Sequence, residues 1–124
     1  IRLDIDGSRA YEGRGQLLVA NIPRYAFGMR IVPSAHPSDG LLDVCLIEFR
    51  SRVGLAWQAL KVLSESHVGS SGFQYWRARR VRVETDISAP VQLDGDLVGN
   101  TPVEIAMTDR QASFLVSQTF EMPT

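Results

Sequence analysis

The chain has 124 residues, 44% of them hydrophobic and 22% charged, with a net charge of −1. That is enough for one domain with its own core, and the near-zero charge leaves no global field to draw nucleic acid or a membrane, so any such contact must come from a local patch. No apolar run reaches the length of a membrane span, and the single Cys45 excludes an internal disulfide framework and favours an intracellular setting.

No signal-peptide pattern opens the chain. Ile1-Arg2-Leu3-Asp4-Ile5-Asp6-Gly7 alternates like a strand, and no Met precedes it. The expectation is a piece of a longer protein. Arg2 to Asp6 ends at Asp6-Gly7 and is followed by Ser8 to Glu12, which reads as a hairpin. Gln16 to Ile22 is a continuous apolar run, the pattern of a buried strand. Asn21, at its end, is expected to bond backbone across the gap. Arg30 to Val32 reads as a short strand stopped by Pro33. Leu42 to Phe49 is the strongest strand, and it holds Cys45, whose thiol burial should make inert.

The period then changes. From Ser51 to His67, Val53, Ala56, Trp57, Leu60 and Leu63 recur at three- and four-residue spacing, with Gln58, Lys61 and Glu65 off the stripe. This predicts one amphipathic helix of about four turns, capped by Ser51, with its apolar stripe and Trp57 in the core rather than at a membrane. His67 at its end would suit the helix dipole. Gly69-Ser70-Ser71-Gly72 closes it. Strand character returns at Phe73 to Thr85, Pro90 to Leu93, Val103 to Met107 and Ser113 to Ser117. Many short strands and one helix indicate a mainly β fold, an antiparallel β-sandwich with one amphipathic α-helix, over a single domain 1–124.

Within Phe73 to Thr85, Arg77, Arg79, Arg80 and Arg82 crowd six positions. A continuous strand would put Arg80 and Arg82 on the face of Trp76, and Arg77 and Arg79 with Tyr75, Val81 and Val83. The favoured reading is a solvated edge strand whose charges discourage strand addition. Contact with anionic headgroups is the sharper reading, and nucleic-acid binding a weaker third. No second His or Cys stands at metal-ligand spacing to His67, so zinc is not expected. No Gly-x-Ser-x-Gly marks a serine nucleophile.

Two acidic turns remain. Pro37-Ser38-Asp39-Gly40-Leu41-Leu42-Asp43 leads into the strongest strand, and Gln92-Leu93-Asp94-Gly95-Asp96 follows a later one. Asp-Gly is the commonest of turn dipeptides, so each alone is an ordinary turn. Together with Asn21-Ile22-Pro23-Arg24-Tyr25-Ala26-Phe27-Gly28-Met29 and Val32-Pro33-Ser34-Ala35, and in this order, they resemble the C-terminal domain of the diacylglycerol kinase-like lipid kinases. That group includes bacterial diacylglycerol kinases and the sphingosine and ceramide kinases. The resemblance runs from about Gln16 to Val116.

The resemblance implies the second domain of the two-domain architecture shared with NAD kinases. An N-terminal domain would hold the co-substrate ATP on a Gly-Gly-Asp-Gly loop that this chain lacks, so the isolated chain should be inactive. It implies Mg²⁺ held by the Asp39 carboxylate with the backbone carbonyls of His36 and Leu41, suiting an ion that needs hard oxygens and few carboxylates. It implies Asp96 as general base toward a lipid hydroxyl, with Asp94 and Gly95 supporting the turn. The family usually has Glu where Asp96 stands, one methylene longer. It also has three glycines before Met29, where Ala26 and Phe27 replace two; Phe27 would line either a lipid-entry groove or the core. The expected partners are a lipid such as diacylglycerol, the protein's own N-terminal domain and a peripheral membrane contact, with room for a homodimer and none for nucleic acid. The implied localisation is cytoplasmic and peripherally membrane-associated. The alternatives are an NAD kinase-like domain and a non-catalytic β-sandwich binding module.

Overall fold

The computed structural model describes residues 1–23, 30–32, 34–64, 67, 69–110, 113 and 115. Among them, nine strands and one helix follow in the order β1 Arg2–Ile5, β2 Ser8–Glu12, β3 Gly15–Ala20, β4 Leu42–Glu48, α1 Arg52–Leu63, β5 Phe73–Ala78, β6 Arg80–Glu84, β7 Pro90–Leu93, β8 Asp96–Asn100 and β9 Val103–Ala106. All pairings are antiparallel. They form a four-stranded sheet in the order β2-β1-β6-β9, a three-stranded sheet β3-β4-β5 and a two-stranded ribbon β7-β8.

The two larger sheets pack face to face. Leu3, Val81 and Val83 from the four-stranded sheet meet Leu42, Val44 and Ala78 from the three-stranded sheet, with Leu17, Val19, Trp76, Val103 and Ile105 around them. A second cluster covers the far face of the three-stranded sheet. There Cys45 lies with Ile31, Val32, Ala35 and Val62, flanked by Leu18, Ile47, Phe73 and Tyr75. β4 is therefore central in its sheet and roofed on both faces, which explains five consecutive buried residues from Leu42 to Leu46. β3, an edge strand, is only half-buried along most of its length.

Four expectations change. Arg30, Ile31 and Val32 are not a strand; Ile31 and Val32 are buried at a bend and plug the second cluster. The run from Phe73 to Thr85 is two strands, broken at Arg79, where the chain crosses from one sheet to the other. The break resets side-chain parity, so Ala78, Val81 and Val83 are all buried while Arg80 and Arg82 face outward. β5 is the edge of its sheet, as expected, but β6 is not, since it lies between β1 and β9. Each arginine of the run has an acidic partner: Arg77 has Asp39 and Asp43, Arg79 Asp109 at 3.9 Å, Arg80 Glu104 at 3.6 Å and Arg82 Glu84 at 2.8 Å. That pairing leaves the run a mixed-charge surface.

The helix is the largest change. Ser51 caps it as expected, its Oγ accepting from the Gly54 N–H at 3.1 Å. It ends at Leu63 with Ser64 as C-cap, short of His67. His67 is instead buried; its Nε2 bonds the Ile31 carbonyl at 3.0 Å and its ring stands edge-on to Phe73 at 4.9 Å. The face turned to the protein carries Gly54, Gln58 and Val62, whereas Val53, Trp57, Leu60 and Leu63 are exposed. Ser113 to Ser117 falls largely outside the described residues, and so does Phe27. Asn21 Oδ1 is buried with no hydrogen-bond partner among the described residues.

Candidate functional site

The first acidic turn is built by its own side chains. The Asp39 N–H donates to the His36 carbonyl at 3.4 Å, and Asp39 Oδ1 accepts from the Leu41 N–H at 2.9 Å. His36 is tied down by its ring, with Nδ1 accepting from the Ser38 N–H at 3.4 Å and lying 3.0 Å from Ser38 Oγ. Gly40 sits at φ +74°, a left-handed conformation that favours glycine, and this lets the chain turn directly into β4. Asp39 is thereby held over the end of the three-stranded sheet.

Beneath it lies Asp43, fully buried. In the register of β4 against β5, Asp43 faces Arg77 directly and Tyr75 diagonally. The Tyr75 hydroxyl donates to Asp43 Oδ1, and Arg77 Nε stands 3.8 Å from the same oxygen. The Arg77 Nη2 donates to Asp39 Oδ2, so one guanidinium spans the turn and the strand. Burial and then the Asp43 carboxylate push the Tyr75 hydroxyl up to about 12. Asp43 Oδ2 is buried with no hydrogen-bond partner among the described residues.

Asp39 and Asp43 against Arg77 leave a net charge of −1, and an unsatisfied carboxylate oxygen in a buried place is costly. In its chemistry the donor set fits a hard cation: carboxylate oxygens and the carbonyls of His36 and Leu41 are the ligand type Mg²⁺ takes. Both oxygens of Asp39 are already engaged, so an ion there competes with Arg77 for it. Among the described residues no group of three or more His, Cys, Asp or Glu side chains could hold a metal, so any ion here rests on backbone oxygens and water as well.

The second acidic turn has a different character. Asp94 at φ +51° and Gly95 at φ +97° form a two-residue hairpin turn with both centres left-handed, the geometry that matches strand twist. Asp96 follows as the first residue of β8 and is exposed. The ribbon is anchored at its base, where Thr101 Oγ1 accepts from the Ala89 N–H at 3.0 Å and bonds Thr85 Oγ1. Among the described residues no hydrogen bond or ion pair links Asp94 or Asp96 to the Asp39 cluster. The two turns are therefore separate stations, one packed on the sheet and one on a projecting ribbon.

Sequence reasoning gave site roles to Asp39, His36, Leu41, Asp94, Gly95 and Asp96, but none at this turn to Asp43, Tyr75 or Arg77. One signal was present: Asp43 interrupts Leu42-Asp43-Val44-Cys45-Leu46, and a carboxylate inside a buried strand demands partners. Which partners it finds depends on strand register.

A family model described as the YegS C-terminal NAD kinase beta sandwich-like domain matches residues 1–115. The chain is 25% identical over 101 residues to "Putative lipid kinase YtlR" of Bacillus subtilis, covering 82% of this chain and 33% of that protein. It is 34% identical over 86 residues to "Diacylglycerol kinase" of Mycobacterium tuberculosis, covering 69% of this chain and 28% of that protein. In fold it is similar to a crystal structure of "a putative diacylglycerol kinase from Bacillus anthracis str. Sterne", with a TM-score of 0.70 and 21% identity, over 86% of this chain and 34% of the other. The chain thus spans about a third of the length of these relatives.

Proposed function

Because the chain belongs to the YegS C-terminal NAD kinase beta sandwich-like family, the C-terminal domain of diacylglycerol kinase-like lipid kinases, we propose that it forms the lipid-side wall of an ATP-dependent kinase acting on a lipid hydroxyl. Diacylglycerol is the first substrate to try, since it is in the name of a relative 34% identical to this chain. The observation that carries this reading is that the match runs over residues 1–115, through both acidic turns. ATP would be bound mainly by another domain of the protein, on the cytoplasmic side of a membrane. Among the described residues no helix is long and apolar enough to cross that membrane.

In this reading Asp96 accepts the proton of the attacking hydroxyl. Its exposed position at the start of β8 gives a substrate room to approach, and the tight turn before it limits its drift. Asp39, with the carbonyls of His36 and Leu41, would hold Mg²⁺. When bound, the ion would neutralise charge on the phosphates being transferred. Arg77, Asp43 and Tyr75 keep the Asp39 turn seated on the sheet, so they position rather than react.

The test is phosphorylation of diacylglycerol in mixed micelles by the full-length protein with ATP and Mg²⁺. Asp96→Asn should lower kcat by about 10²–10⁴ with little change in KM, the usual range for a lost general base. Asp96→Glu, restoring the longer side chain, should keep most of the rate. An Asp96→Asn enzyme as fast as its parent removes the base assignment. An intact protein that phosphorylates no lipid removes the function.

A further inference from the structure

The helix α1 is mounted with its more apolar side outward. Val53 is 80% exposed, Trp57 62%, Leu60 57% and Leu63 64%. At 100° per residue these four fall within one arc, together with Ala56. The opposite side docks through a polar side chain and one valine. Gln58 Nε2 donates to the carbonyls of Glu48 at 3.4 Å and Ser71 at 3.3 Å, and Val62 is 9% exposed against the second core cluster. A helix that spends Gln58 on the protein and shows Trp57 and three aliphatics to solvent is the reverse of a normal surface helix, which needs a low-dielectric occupant on its outer face.

Charge narrows the occupant. Residues 52–63 contain Arg52 and Lys61 and no carboxylate, and exposed Arg50 stands just before the helix. The first turn holds no acidic residue, although the helix dipole would favour one there. Within residues 52–63 the charged residues of the sequence are thus all basic, and Trp57, an amphipathic ring suited to the headgroup level, lies in the middle of the apolar stripe.

We propose that the outer face of α1 lies on an anionic lipid bilayer, with Val53, Trp57, Leu60 and Leu63 entering the headgroup boundary and Arg50 among the phosphates. This deepens the lipid reading above by naming the face that meets the membrane. It is tested without phosphoryl transfer, so the failure of either is seen separately.

The experiment is vesicle co-sedimentation of the full-length protein with phosphatidylcholine alone and with added phosphatidylglycerol. The parent should bind the anionic vesicles more tightly. Trp57→Ser with Leu60→Ser should weaken that binding by about tenfold or more, with the melting temperature kept. Arg50→Glu should weaken it by about fivefold on anionic vesicles only, and less in high salt. A second reading does not depend on variants of the helix. With every other tryptophan of the full-length protein, Trp76 included, replaced by phenylalanine, Trp57 emission should shift to the blue on adding vesicles and be quenched by brominated lipid. The proposal is overturned if the double variant binds like the parent. It is equally overturned if Trp57 emission is already blue and unmoved by vesicles, because another domain or a second copy then covers the face.

Discussion

Arg77 is the residue on which the Asp39 cluster turns. It is the cation between two carboxylates, one in the turn and one buried in β4, and its side chain is 42% exposed. Solvent screening keeps its net contribution well below that of a fully buried pair. Arg77→Met should still lower stability by about 1–2 kcal/mol, since it leaves Asp43 buried with Tyr75 alone. Added Mg²⁺ should then raise the melting midpoint of Arg77→Met more than that of the parent, because the ion no longer competes with the guanidinium. Arg77→Met combined with Asp39→Asn should lose that response. A midpoint unchanged by Arg77→Met would mean that the ion pairs do not hold the turn. Asp39 was legible in the sequence because Asp-Gly before an apolar run is a turn signal of its own. Arg77 was not, because its partners lie 38 and 34 positions away and only the β4–β5 register brings them together.

At the scale of elements, local chemistry and packing part ways. The β7-β8 ribbon is decided locally: Asp94 and Gly95 both take left-handed backbone, and Gly95 at φ +97° has no low-cost replacement. Gly95→Ala should cost about 1–2 kcal/mol at the ribbon. Amide exchange across residues 90–100 should accelerate while the two larger sheets keep their protection. Phosphorylation should fall with it if Asp96 acts from that ribbon. Uniform acceleration over the whole chain would instead mean that the ribbon unfolds only with the sandwich. The helix shows the opposite. Its cap and periodicity were readable at Ser51 and along Val53 to Leu63, but the direction of its stripe was not. A hydrophobic period says that one side wants a partner, without saying whether that partner is the chain's own core.

For the whole molecule, burial of titratable groups sets the alkaline limit. Burial raises the Cys45 thiol from 9.0 to about 12, and burial with the Asp43 carboxylate raises Tyr75 from 10.0 to about 12. Below the unfolded values both states hold these protons, and the groups favour neither. Above them the unfolded chain ionises while the folded chain still resists. Stability should therefore fall progressively between pH 9 and about 12. Denaturant melts across that range should show it, with a shallower fall in Cys45→Ala. A flat profile would mean that the thiol and the phenol are open to solvent. The same burial makes Cys45 inert to thiol reagents near neutral pH.

By itself the sequence determined what local rules determine: the Asp-Gly turns, most strands, the helix and its cap, and a mainly β class. Each depends on dihedral preference or hydrophobic period over a few residues. The ordered acidic turns also carried the family. Only the tertiary structure decided that the Arg-rich run breaks at Arg79 to join two sheets, that Asp43 meets Tyr75 and Arg77, that His67 is buried against Ile31, and that Trp57 faces outward. Those facts are pairings between residues far apart in the chain, and nothing in a local period specifies which distant surface will answer it.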